Sequence, residues 1–157
     1  MSLLPFFQWC YQTPIGVAIR DSTWIFPVIE AFHLVGLGLT VGAVLTVDLR
    51  LLGVGLSRQP VAQLSAAVEP WLLGSLALMF LSGIALFLSE AIKCYYSFPF
   101  WVKMMALLLA LLFTFTVRRR LTMSKAPDQS LHGRFTALTS LILWFGVAWG
   151  GRWIGFS

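Results

Sequence analysis

Four long apolar windows without Asp, Glu, Lys or Arg stand out in this chain: residues 31–47, 70–89, 104–117 and 135–151. A helix that crosses a membrane needs about 20 mainly apolar residues, with about 17 as the lower end. The second window reaches that length unaided, and the first and fourth meet its lower end. The tolerable flanks 24–29 and 98–103 extend the first and bring the third to length. No window alternates with period two, and all are rich in Leu, Ala, Gly or Met, which argues against strands. Inside a bilayer the backbone must satisfy its own hydrogen bonds, so helices remain. The expected fold is an all-α membrane protein, a four-transmembrane-helix bundle in one domain. Its spans fall at about 23–50, 68–90, 98–118 and 133–154.

Composition agrees. Of 157 residues 59% are hydrophobic and 11% charged, too few charges to cover a water-soluble domain of this size. The first 21 residues read differently. Pro5 and Gln8 break the apolar run and no positive region precedes it, so a signal peptide is not expected. Thr13 followed by Pro14 reads as an N-cap and first helical position. Residues 1–21 are expected to be an N-terminal interfacial helical segment lying on the membrane.

Charge asymmetry orients the spans. The first and third connections carry Arg50, Arg58, Arg118, Arg119, Arg120, Lys125 and Arg134, against Arg20, Lys93, Lys103 and Arg152 on the other side. The positive-inside rule places the two basic connections in the cytoplasm and both termini outside, in a bacterial inner membrane. Trp9, Trp24, Tyr95, Tyr96, Trp101, Trp149 and Trp153 fall near the outer boundary, as an interfacial belt would. The run 118–120 is too short a basic patch beside a membrane to indicate nucleic acid. The partner expected is the lipid bilayer, with a homo-oligomer also compatible. Cys10 and Cys94 share the outer side, where an oxidising compartment would allow a disulfide.

Ionisable groups gather at one depth. Glu30 and His33 lie near the outer end of the first span, about 4.5 Å apart along the axis and on one face. Lys103 enters the third span at a similar level, and Glu90 and Arg152 close the second and fourth. Such groups are costly in a membrane and mark function by default. Bland readings exist: Lys103 and Arg152 snorkel to headgroups, Asp48 and Arg50 pair locally, and Glu30 hydrogen-bonds the imidazole. Gly38 with Gly42 and Gly146 with Gly150 have the spacing for close helix approach. His33 is a natural metal or haem ligand. Its only companion, His132, lies a membrane thickness away, so bis-histidine ligation within one chain is excluded. A haem b would use His33 alone or with Lys103 or Met104; alternatively, Lys103 and Arg152 would pair with the propionates. No phosphate loop, zinc-spaced Cys pairs or serine elbow appears.

The stretches "IEAFHLVGLGLTVGAVLTVDLRLLG", "EPWLLG", "FPFWVKMMALLLALL" and "LWFGVAWGGRW" together resemble a group of uncharacterised bacterial four-helix membrane proteins. More distantly the layout is similar to the haem-containing membrane protoporphyrinogen oxidases. That resemblance implies functional roles for His33, in "EAFH", and Lys103, in "VKMMALLLALL", around a bound haem. The chain departs from those oxidases at "DLRLLG" and in its fourth span. The expected function is haem binding near the outer face, for electron transfer or oxidation of a porphyrin- or quinone-like substrate. The alternatives are a proton or small-solute transporter and a non-catalytic assembly subunit.

Overall fold

The structure is a computed structural model, and it describes residues 3–54, 59–123 and 130–154. Arg58 and Lys125, two of the basic residues used for orientation, lie outside these residues. The described residues form six helices and no strand: α1 (Leu4–Tyr11), α2 (Pro14–Asp21), α3 (Ile25–Leu52), α4 (Val61–Tyr96), α5 (Phe98–Met123) and α6 (Leu131–Ile154). Three of them, α3, α4 and α5, are long and apolar enough to cross a membrane. The chain is a helical protein with three candidate membrane spans. The fourth expected span exists as helix α6 but is not among those three. Its sequence alternates apolar residues with Thr136, Thr139, Ser140, Gly146, Gly150 and Gly151, which dilute its hydropathy.

Interior and exterior differ little in polarity. The buried stripe of α3 is Gly36, Thr40, Ala43, Val44, Val47, Asp48 and Leu51, while Val28, Phe32, Leu34, Val35 and Leu39 face outward. The same holds for α6, where Thr136, Ala137, Ser140, Trp144, Val147 and Gly150 point inward. Phe135, Leu138, Ile142, Phe145 and Trp149 point outward. Large apolar side chains outside and small or polar ones inside suit a bundle packed in lipid, where close approach replaces the hydrophobic effect.

Each helix stops for a local reason. Thr13 caps α2 by accepting a hydrogen bond from the Gly16 amide, with Pro14 in the first turn, as the sequence implied. Helix α3 ends at Gly53, whose φ of 82° lets Gly53 N–H reach Arg50 and Val54 N–H reach Leu49. Helix α4 runs further than expected and bends at Glu90 (φ −121°, ψ 23°). There α2 presses on it: a Cβ at Gly16 would stand 2.6 Å from the Leu88 carbonyl oxygen. Arg20 donates to the carbonyls of Ser89 and Tyr11, at 3.3 Å each, and lies over the Tyr11 ring. The N-terminal segment is thus two short helices clamped to the end of α4. We call that end of the bundle the upper end.

The lower half holds a buried ion pair. Arg118 Nε donates to Asp48 Oδ1 at 2.8 Å and Arg118 also donates to the Val44 carbonyl at 3.1 Å. Asp48 therefore pairs across the bundle with Arg118, not with Arg50 as expected, and Arg50 Nε instead donates to the Gln59 carbonyl. A π-helical turn over Thr114–Arg118 makes this pairing feasible. Ala110, Thr114, Arg118 and Thr122 are all buried, a repeat of four residues. In a regular helix such a stripe drifts by about 40° at each step, and the wider π turn offsets the drift. Trp144 Nε1 donates to Thr114 Oγ1 at 3.2 Å just above.

Removing one partner of a buried pair leaves an uncompensated charge, at a cost of about 3–5 kcal/mol. Arg118→Leu is accordingly expected to lower the unfolding temperature in detergent sharply. The double variant Asp48→Leu/Arg118→Leu is expected to recover most of the loss, which a double-mutant cycle of melting curves would measure.

Candidate functional site

Two glycine contacts determine which helices touch in the upper half. At Gly36 on α3 a Cβ would stand 2.9 Å from Met79 Cγ on α4, so α3 and α4 lie close. At Gly150 on α6 a Cβ would stand 3.1–3.4 Å from Lys103 Cβ, Cα and N on α5, so α5 and α6 lie close. Gly146 of the expected pair faces Ala106 of α5 at 3.8 Å. Gly38 and Gly42 meet nothing within 4 Å, which corrects the expectation that they join helices. They lie about 200° round α3 from the Gly36 stripe, on the outer face.

Helices α4 and α5 are consecutive, yet their backbones hardly approach one another. They meet at the top, where the Phe87 and Phe100 rings stack at 5.8 Å. They meet again at the bottom, where Arg119 pairs with Glu69 at 3.1 Å and Ser65 donates to Thr122. Between these contacts is a cavity of about 400 Å³. Its side walls are Phe80, Ile84 and Phe87 of α4 and Trp101, Met104 and Leu107 of α5. Leu76, Met79 and Val147 form its inner wall, and Phe7 of α1 roofs it. Phe7 is buried against Phe87, Phe100, Tyr95 and Trp101, so α1 closes the upper end.

Two ionisable residues reach this cavity, His33 from α3 and Lys103 from α5. His33 Nδ1 lies 2.9 Å from Ser82 Oγ, and the Ser82 hydroxyl donates to the Leu78 carbonyl at 2.6 Å. With its one proton so used, Ser82 accepts from His33. That arrangement suits an imidazole proton on Nδ1, and the His33 side chain also hydrogen-bonds the Met79 backbone. Gly83 provides the room: a Cβ there would stand 3.2 Å from His33 Cε1. Lys103 runs along Gly150 and Gly151, its Nζ 3.3 Å from where a Gly151 Cβ would be. Its ammonium makes no ion pair among the described residues, and it lies near enough to His33 and Cys94 to act on both electrostatically.

The other expected site residues are elsewhere. Glu30 is exposed and does not line the cavity; Ser82, not Glu30, orients the imidazole. Arg152 is exposed in the last turn of α6 and is also absent from the lining. Met104 lines the cavity beside Lys103, with 43% of its surface exposed. Cys10 and Cys94 are free thiols, buried in one cluster with Phe7 and Ala91. Among the described residues no three His, Cys, Asp or Glu side chains come together as a metal site. The site sets one histidine and one lysine in an apolar, aromatic-walled slot. Its volume lies within the range of ligand sites, about 300–1,000 Å³.

Filling the space that Gly83 leaves should displace the imidazole. Gly83→Val is expected to break the His33–Ser82 bond, which would appear as loss of the protonated Nδ1 signal in the ¹⁵N spectrum of histidine-labelled protein. An unchanged signal would contradict the packing described.

No curated protein and no solved structure matches the chain. A family model does, over residues 6–157, and it is described as a family of unknown function, DUF6644. The chain belongs to that family.

Proposed function

We propose that this protein is a four-span membrane protein whose slot between α4 and α5 would hold haem b, with His33 as the residue that would bind its iron. The observation that carries this reading is the imidazole itself: Nδ1 is held 2.9 Å from Ser82 Oγ, in a side chain that lines an apolar cavity, which would leave Nε2 as the nitrogen for a metal. A single protein donor suits a metal that brings its other ligands in a macrocycle, better than it suits a bare ion. When bound, haem would supply one-electron chemistry there. Ser82 would orient the ligating ring, Lys103 would receive a propionate, and the Phe80, Phe87, Phe100 and Trp101 rings would cover the apolar faces.

The outward stripe of α6, from Phe135 to Trp153, supports counting it as the fourth span beside α3, α4 and α5. The basic group Arg118, Arg119, Arg120 and Arg134 at the lower end supports a cytoplasmic location for that end. Both termini then lie outside a bacterial inner membrane. A proton or solute path is less favoured. Thr40 and Ser75 pair at 2.8 Å below the cavity, but Ala43, Val44, Leu72, Leu76 and Trp144 form an apolar cluster before Asp48.

The test is the visible spectrum of protein purified from membranes and then titrated with haemin. A Soret band is expected that is lost in His33→Ala and weakened in Lys103→Met. Ser82→Ala is expected to reduce haem affinity by about 10–100-fold, as other removals of an orienting partner do. A preparation that is colourless and takes up no added haemin would refute the reading.

A further inference from the structure

The cavity has a closed top and an open side. Its roof is Phe7, only 5% exposed and packed in an aromatic cluster by α1. Its inner wall is also sealed: Leu76, Met79 and Val147 are each less than one tenth exposed. The residues along its other edge are different. Phe80 and Ile84 on α4 are 46% and 56% exposed, and Trp101 and Met104 on α5 are 38% and 43% exposed. All four line the cavity and the outer surface of the bundle at once. The opening therefore lies between two candidate spans, below the roof and above the Arg119–Glu69 pair, where hydrocarbon surrounds the protein.

We propose that this cavity is filled sideways from the membrane interior, through the slot between α4 and α5, by a membrane-dissolved molecule with an apolar body and a carboxylate head. The apolar body follows from the walls, which are hydrophobic or aromatic apart from His33 and Lys103. The head follows from Lys103, a cation without an ion pair among the described residues that lies at the cavity, along Gly150 and Gly151. In a low-dielectric slot a carboxylate is the partner that such an ammonium lacks. The roof gives α1 and α2 a role. Clamped to α4 by Gly16 and Arg20, they exclude entry from the aqueous side. The inference shares its cavity with the haem reading and gives the route by which such a ligand arrives. Haem b belongs to the class named, and so does a fatty acid.

An apolar carbene-generating diazirine, dissolved in phosphatidylcholine vesicles that contain the full chain, tests the route without any haem. After photolysis, peptide mapping is expected to find label on Leu76, Met79 and Val147, which face lipid only through the slot. In Ile84→Trp/Met104→Trp these three should lose most of their label, while Ile142 and Phe145 on the outer face of α6 keep theirs and report an intact fold. In Ile84→Ala/Met104→Ala the inner-wall label should rise. Oleic acid should protect the inner wall in wild type but not in Lys103→Met, and methyl oleate should protect neither. An unlabelled inner wall, or equal label in the plugged variant, would overturn the lateral route. Equal protection by acid and ester would overturn the carboxylate head. A colourless protein with a labelled inner wall would remove the haem reading and leave the route standing.

Discussion

The slot exists because two pairs of helices are drawn together at glycines and a third pair is not. Gly36 lets α4 settle on α3, and Gly150 lets α5 settle on α6. No such glycine contact joins α4 to α5, which meet through rings at the top and through polar contacts and shared apolar clusters lower down. In water, hydrophobic collapse would favour closing such a gap. In lipid that drive is missing, because acyl chains are as apolar as the side chains they replace. A gap between two helices can persist there if lipid or a ligand fills it.

The same absence of a hydrophobic drive explains where the polar residues sit. Thr40 with Ser75, Asp48 with Arg118 and Trp144 with Thr114 each join a different pair of helices. In each of these three pairs a donor that would be costly in hydrocarbon has an acceptor on a neighbouring helix. His33 departs from this arrangement: its Nδ1 is held by Ser82 within the bundle, and the residue also lines the slot. Lys103 departs from it too, supported along its stem by Gly150 and Gly151 and without an ion pair among the described residues. These two residues are the ionisable groups that line the cavity.

Much of this was readable in the chain. Uncharged windows located the long helices, because a hydrocarbon solvent imposes a length and a composition that few other structures share. Helical rise put His33 and Lys103 at one depth, and both line the cavity. Partner choice was not readable. Asp48 has Arg50 as its sequence neighbour, but its partner is Arg118, 70 positions away and presented inward within a π turn that periodicity does not announce. Ser82 and Gly83 carry the imidazole, yet "SG" within an apolar window looks like any small pair until α3 is laid against it. The spacing of Gly38 and Gly42 pointed to contact, but they occupy the face that looks outward. Apolar faces toward lipid and toward protein have the same letters, so the sequence locates helices better than it assigns their neighbours.

The most direct measurement is a crystal structure of the protein grown from a lipidic mesophase without added ligand. The account predicts density that is not protein between α4 and α5, within bonding distance of His33 Nε2 and continuous with lipid past Ile84 and Met104. Side chains of α4 and α5 packed directly against each other along that level, with His33 Nε2 bonded to a protein group, would contradict it.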